Sequence, residues 1–350
     1  VFFSCKKYQD AQSHDLLLSV KKAVLIVGNK NIEWQKRGHQ KTREFLEKNS
    51  VKIISQFNCK GEAGLVLPIL KKATELKPDI ICIYQNSMVA ATLMKNKNKL
   101  KFLNVPVIMA NMFFKKKFHP LITGTSFISG VKPIFNLWKR ILPNAKNVAI
   151  LASANPFSEY LAREYEKYSK ELGYKIVAKY IPEYGYQWKE AVEKINKTNA
   201  DFLLIGFWIS LKTRNGRVYN NVQFEDLKYW TVRNMKKGYA SFFDLVVMSG
   251  LTFGVCNDLV NVGTEIGEIA VDVLSGKDVK SIPVKNSRFL FISINKKHAE
   301  MVGLKIPYDI FSNAKNIYNK FIGEYDDKYF KRVGGIVQPH RPSGWKWIPQ

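Results

Sequence analysis

The side chains here that could do chemistry are amides, hydroxyls and aromatic rings rather than acid–base pairs. The five histidines, His14, His39, His119, His298 and His340, stand far apart, and none lies at metal-ligand spacing from a cysteine or carboxylate. His39 and His298 fall on expected helices and read as solvated. There is no G-x-S-x-G nucleophile elbow and no phosphate-binding P-loop. Gly61-x-x-Gly64 is half a glycine loop, and Glu324-Tyr-Asp-Asp327 reads as a solvated acidic turn. No catalytic residue, metal or cofactor is expected. The polar residues gather instead just after apolar runs. Gly28 and Asn29 follow 23–27; Gln85, Asn86 and Ser87 follow 80–84; Asn111 follows 105–110. Ser153, Asn155 and Phe157 follow 148–151, and Gly206, Phe207, Trp208 and Ser210 follow 200–205. Asp244, Ser249 and Asn257 form a later set. Such groups suit a neutral or zwitterionic small molecule. A helix N-terminus at Ser87 would hold a carboxylate through free N–H groups. Phe207 and Trp208 would stack on a ring or apolar face, and Asp244 would pair with an amine. Each also has a plainer role: Asn and Ser are good loop and cap residues, and Trp208 fits a lobe core.

Strands followed by helices must position these residues, because ligands of open parallel sheets bind beyond the carboxyl ends of the strands. Continuous apolar runs predict buried strands at 23–27, 51–57, 80–84 and 105–110, with helices at 32–47 and 65–76 and one from 87. Pro68 is expected to set the start of the second helix. A strand at 121–126 follows, and then the pattern restarts: helix 133–142, strand 148–151, helix 159–172, strand 175–179, helix 187–196, strand 200–205. β-α-β-α-β thus occurs twice, with shared topology rather than shared sequence. Polar 212–222, with its Asn215-Gly216 turn signal, reads as a hairpin or loop insert. A helix at 224–235 and an apolar stretch at 239–247 lead to a strand at 251–255. Asn257 is expected to cap the next helix, where Leu259, Val262, Ile266, Ile269, Val273 and Leu274 recur at helical spacing. Gly263 and Gly267 leave one face of it bare, to lie against a sheet. Gly276 stops it. Strand 289–294, helix 296–302 and a terminal helix at 310–321 close the pattern. The expected fold class is α/β, with two Rossmann-like lobes built on parallel sheets.

The wording of the closing stretch is more specific. Gly250, Gly254 and Asp258, then Leu274, Gly276, Lys277, Ile282, Pro283 and Val284, then Phe291, Ile294, Asn295, Ala299, Gly303, Leu304, Ile306 and Pro307, follow one family's pattern. Lys77-Pro78-Asp79 before a strand, the crossing strand 121–126 and the segment 143–151 match the same pattern. Leu121 departs from it, standing where the family has Asn or another polar residue. Over about 21–320 the chain resembles the ABC-transporter substrate-binding family with the type I periplasmic-binding-protein fold. The resemblance implies hinge crossing strands between lobe 1 (21–124 plus 256–285) and lobe 2 (125–255 plus 286–320). It implies a small-molecule ligand held by hinge closure, an extracytoplasmic location and a membrane permease as partner. Amino acids, aromatic ones among them, are ligands of related systems. The alternative is an extracytoplasmic ligand-sensing domain that passes closure to a kinase or cyclase.

Composition bounds the rest. The chain has 350 residues, 46% hydrophobic and 24% charged, enough for two lobes of about 100–200 residues each. No run approaches the roughly 18–20 apolar residues of a membrane helix. Lys and Arg number 55 against 29 Asp and Glu, a formal charge of +26. Lys dominates and is dispersed, with no Arg-rich stripe, so no nucleic acid is expected; an anionic bilayer uses the charge more economically. Among the four cysteines, Cys82 and Cys256 read as buried thiols, and Cys59 lies near a loop. Cys5 differs: VFFSCKK looks like the tail of a bacterial lipoprotein signal, with Ser4 at the small position and Phe2 a poor match. Residues 1–20 therefore read as a leader remnant and connector, with Cys5 as the candidate for a lipid anchor and peripheral membrane association. Residues 321–350 form an aromatic, Gly/Pro-containing tail beyond the family's usual end.

Overall fold

The computed structural model describes residues 20–321 and 324, apart from 86, 113–116, 127–129, 207–210 and 220. The first strand, β1 (Lys22–Val27), is apolar and buried from its second residue on, as a strand covered on both faces must be. After it come α1 (Glu33–Lys48), β2 (Lys52–Asn58), α2 (Ala63–Glu75), β3 (Ile80–Tyr84), α3 (Ser87–Lys95), β4 (Val107–Met112) and β5 (Ile122–Ser126). The second run is α4 (Val131–Ile141), β6 (Asn147–Leu151), α5 (Pro156–Glu171), β7 (Lys175–Tyr180), α6 (Gly185–Asn196), β8 (Phe202–Ile205), α7 (Asn221–Asn234), β9 (Tyr239–Ser241), α8 (Asp244–Ser249) and β10 (Phe253–Asn257). The chain closes with α9 (Val262–Leu274), β11 (Lys285–Asn286), β12 (Leu290–Asn295), α10 (Lys296–Met301), α11 (Tyr308–Ser312) and β13 (Ala314–Tyr318).

The strands form two sheets, a six-stranded one in the order β11-β5-β4-β3-β1-β2 and a seven-stranded one in the order β13-β12-β10-β9-β8-β6-β7. Among the described residues every pairing is parallel except β10 with β12. This is the α/β architecture of two Rossmann-like lobes. The chain passes between the sheets from β5 to α4, from β10 to α9 and from β11 to β12. Helix α9 follows a strand of the second sheet but packs on α1, β3, β4 and β5 of the first. In the second lobe Trp138 of α4 stacks on Phe202 at 4.6 Å between ring centroids and meets Phe253 edge-on at 4.6 Å, fixing that helix across β8 and β10. Cys59, Cys82 and Cys256 are buried free thiols. Burial pushes Cys82 up to about 12 and Cys59 up to about 11, so neither is a nucleophile near neutral pH.

Several elements differ from the sequence expectation. The bare face of α9 lies against a helix, not a sheet: a Cβ at Gly263 would overlap the carbonyl oxygen of Gly38, and one at Gly267 would press on the Phe45 ring. Thr42 Oγ1 donates to Gly263 O at 3.0 Å across the same crossing. Helix α2 starts at Ala63, ahead of Pro68, which sits inside it; the residue four back, whose carbonyl a proline ring crowds, is Gly64. Asn257 ends β10 rather than capping α9. The turn between them is held by Asp258, whose Oδ1 accepts from Asn261 N at 3.1 Å. The terminal helix at 310–321 is a single turn, α11, followed by strand β13. Asn313 closes that turn by donating its Nδ2 to Asp309 O at 2.7 Å, and β13 then adds to the sheet beside β12. His298 is not solvated. The Asn295 side chain accepts from His298 N at 3.0 Å and turns α10 inward, which buries the imidazole with Nδ1 2.8 Å from Thr252 Oγ1 and its ring on the edge of Tyr239.

Candidate functional site

The carboxyl ends of β1, β3 and β4 meet the N-terminal part of α1. Gly28 donates its N–H to Tyr84 O at 2.9 Å, and a Cβ on it would stand 2.7 Å from Gln35 Oε1 and 3.3 Å from Gln85 Cα, so a side chain there would displace the Gln35 amide. Gln35 Oε1 accepts from Asn29 N at 2.8 Å, and Asn29 Oδ1 accepts from Asn31 N at 3.0 Å, which shapes the loop that follows β1. Gln85 is fully buried. Its Nε2 donates to Ala110 O at 2.8 Å and its Oε1 accepts from Ala90 N at 3.3 Å, so it ties α3 to β4 within its own lobe. Asn111 adopts the left-handed conformation (φ 56°), which asparagine tolerates better than other non-glycine residues, and donates its Nδ2 to Gln85 O at 3.2 Å. Gly28, Gln85 and Asn111 are thus brought together. Ser87 begins α3. Asn86, Phe207, Trp208, Ser210 and Cys5 lie outside the described residues.

Apart from Asn111, sequence reasoning passed over the groups that give this wall its unused hydrogen-bonding capacity. Gln35 Nε2, Tyr84 Oη, Asn111 Oδ1 and Glu265 Oε2 are buried and without a hydrogen-bond partner. Burial drives the Tyr84 phenol well above its usual range; the carboxylates of Asp258 and Glu265 add to the rise, and the Asn111 amide beside it offsets part. The signal was present in the pattern: Gln35 stands on the face of α1 that carries Gly38, Thr42 and Leu46 inward, and Glu265 interrupts the apolar face of α9. A buried polar atom left unpaired costs about 1–3 kcal/mol, so this cluster favours any water or ligand that supplies the missing partners.

In the second lobe Asn155 caps α5. Its Oδ1 accepts from Ser158 N at 2.9 Å while its Nδ2 donates to Ser153 Oγ at 2.7 Å and Ser158 Oγ at 2.9 Å. Phe157, half-buried, meets Phe242 edge-on at 6.4 Å. Gly206 packs on Ala152, and Ser249 donates back to Leu245 O at 2.7 Å inside α8. Asp244, at the first turn of α8, accepts from the Ser293 hydroxyl, from Asn316 Nδ2 at 3.0 Å and from Tyr318 Oη at 2.8 Å. Two of these donors come from β13, the strand read as helix in the sequence. Asn257 is buried at the end of β10.

The crossings are tightly bonded. A Cβ on Gly130, just before α4, would overlap Val255 O. Thr123 Oγ1 donates to Ile282 O at 2.8 Å, Ser287 N to Ser126 O at 3.2 Å and Asp258 N to Phe289 O at 2.8 Å. Arg288 donates its N–H to Glu265 Oε1 at 2.8 Å and its Nη2 to Glu268 Oε1 at 2.6 Å. Lys315 of β13 reaches Asp258 Oδ2 at 2.7 Å. Burial alone would raise the Asp258 carboxyl, but the Lys315 ammonium and the Asn261 donors outweigh it and hold it below its usual value. Among the described residues no group of three or more His, Cys, Asp or Glu could hold a metal ion, and no helix is long and apolar enough to cross a membrane.

Residues 37–318 match the family model described as ABC transporter substrate binding protein. No curated protein matches the sequence. Among solved structures, the ligand-free, open structure of a substrate-binding protein with adhesive properties from Clostridium difficile superposes with a TM-score of 0.64 at 18% identity, over 86% of this chain and 99% of that one. An ABC domain in complex with L-Trp from Streptococcus pneumoniae gives 0.57 at 19% identity, over 85% and 99%. A periplasmic ribose ABC transporter structure from Conexibacter woesei gives 0.55 at 12% identity, over 85% and 98%. At these identities the likeness is one of fold.

Proposed function

This chain belongs to the ABC transporter substrate-binding protein family, and we propose that it is the extracytoplasmic component of an importer that closes its two lobes around one small molecule and presents it to a membrane permease. The observation that carries this reading is the set of crossings from β5 to α4, β10 to α9 and β11 to β12, which join two sheets in one chain. Contacts made by a ligand to both lobes would favour the closed arrangement, and that shift of a hinge equilibrium is the functional event. The moving bodies are residues 21–124 with 256–285 and residues 125–255 with 286–320. Acylation of Cys5 would hold the protein at the membrane.

For the ligand we favour an amino acid. The positive end of the helix dipole at the start of α3 suits its carboxylate. The unpaired oxygens of Asn111 and Glu265 suit a donor, and Phe157, Phe207 and Trp208 suit an apolar or aromatic side chain. That the pneumococcal domain was solved with L-Trp supports the same class. The test is thermal unfolding against a panel of amino acids, sugars, nucleosides and small acids. A ligand at about 100 times its dissociation constant adds roughly 2.7 kcal/mol to stability. An amino acid is expected to raise the melting temperature, and Trp208→Ala is expected to abolish the rise. A rise with sugars alone would overturn the ligand class, and no rise across the panel would overturn the binding reading.

A further inference from the structure

We infer that the hairpin 211–219 of lobe 2, together with Arg37 of lobe 1, is the surface that engages the permease, through carboxylates on the permease's extracytoplasmic face. This rests on the importer reading and adds to it the contact surface and the chemistry of the partner. Residues 211–219, expected from the sequence as part of a hairpin or loop insert, form a bonded hairpin. Thr213 N donates to Arg217 O at 2.8 Å, Gly216 N to Thr213 O at 2.9 Å and Tyr219 N to Leu211 O at 2.8 Å. The hairpin is also fastened to the segment after β7. Lys212 N donates to Glu183 O at 2.8 Å and Gly185 N to Lys212 O at 2.9 Å, and a Cβ on Gly185 would overlap the Tyr219 phenol. A hairpin held at its base in this way presents its side chains to a partner with little ordering left to do.

Topology puts the hairpin on the open side of the lobes, away from the crossings. It joins β8 to α7 and leans on the link from β7 to α6, so it stands at the strand carboxyl ends. In the seven-stranded sheet the crossings meet β10 and β12, while β8, β6 and β7 lie beyond β9. In the six-stranded sheet the crossings meet β5 and β11, while β1 and β2 form the far edge. Helix α1 joins those two strands, starts at their carboxyl-end side and carries exposed Arg37. Two features separate this side from the rest of the basic surface. Arg43, Arg140, Arg163, Arg233 and Arg288 each pair with a carboxylate, whereas Arg37, Arg214 and Arg217, all exposed, form no ion pair among the described residues. At the strand carboxyl ends of both lobes, the exposed large apolar side chains among the described residues are Tyr186 and Val218, 36% and 61% exposed, both at the hairpin. Arg214 lies over the Tyr186 ring at 5.3 Å, and Tyr184 stacks on Tyr186 at 5.6 Å. Arginine and tyrosine are enriched at the energetic centres of protein interfaces, and the planar guanidinium fork fits a carboxylate. The hairpin and Arg37 belong to different lobes, so a partner that takes both favours one separation of the lobes.

The test is photo-crosslinking in the cells that make the protein, with Val218→p-benzoylphenylalanine and, at the opposite end of lobe 2, Leu172→p-benzoylphenylalanine, each adduct being identified by mass spectrometry. Val218 is expected to join a membrane-spanning transporter subunit at a peptide that contains Asp or Glu, and Leu172 is not. Adding Arg214→Gln with Arg217→Gln is expected to lower the yield about tenfold or more. Lys170→Gln with Lys175→Gln removes the same charge elsewhere in lobe 2 and should lower it by less than about threefold. Equal losses in the two pairs, or no adduct at Val218, would overturn the surface. Adducts only with lipid, or only with a second copy of this chain, would overturn the partner. An unchanged yield with Arg37→Gln would overturn the part assigned to lobe 1. Both Gln pairs should keep the thermal shift given by a bound ligand. A shift that persists while the Val218 adduct is missing defeats this surface alone, whereas no shift with any compound defeats the importer reading itself.

Discussion

Gly38 carries a close approach in lobe 1. A methyl group there would overlap the Tyr84 phenol, and Gly263 packs against its carbonyl from the other side. Gly38→Ala should therefore destabilise the protein by about 1–3 kcal/mol through overpacking. Gly64→Ala, in an exposed turn of α2 with nothing within 4 Å of the added carbon, should instead stabilise by about 0.4–1 kcal/mol. Urea unfolding of the two variants checks both signs. His298 belongs at the same scale. Burial holds it down to about 3, with the Met235 carbonyl offsetting part, against 6.5 in the unfolded chain. The unfolded state therefore takes up the proton first. Stability is intact above pH 6.5 and falls between there and about pH 3, by up to about 1.4 kcal/mol per pH unit. His298→Asn should flatten that part of the stability–pH curve; an unchanged slope would contradict the assignment. Asp258 adds a loss at lower pH, as its depressed carboxyl is finally protonated.

Strand β13 is the element most at odds with the sequence, and the reason is physical. Ile310, Phe311, Ala314, Ile317, Tyr318 and Phe321 recur at spacings a helix would accept, and only pairing with β12 makes 314–318 a strand. Long-range contact likewise decided His298, whose partner Thr252 lies 46 residues away. By contrast the alternation of strands and helices, the stop at Gly276 and the unit from β12 to α10 were legible, because apolar runs and glycine or asparagine boundaries are local signals. The candidate site was legible as a set of strand ends, but not which side chains are already committed: Gln85 is spent within lobe 1, and Asp244 accepts from three neutral donors. Tyr318→Phe removes one of those donors and should cost about 0.5–1.5 kcal/mol. Asp244→Ala strands all three and should cost more, as measured by chemical denaturation. The reverse order would mean that Asp244 does not hold β13 to the sheet.

At the scale of the molecule, two sheets are joined where Gly130 packs on Val255, where Arg288 is held by Glu265 and Glu268, and where Lys315 meets Asp258. A ligand touching both lobes has only to bias these segments by a few kcal/mol to move the population from open to closed. The most direct measurement is small-angle X-ray scattering of the protein without ligand and with the compound that raises its melting temperature most. Hinge closure predicts a smaller radius of gyration on binding, saturating at the same ligand concentration as the thermal shift. A compound that stabilises the protein but leaves the scattering curve unchanged at saturation would contradict closure of the lobes as the functional event.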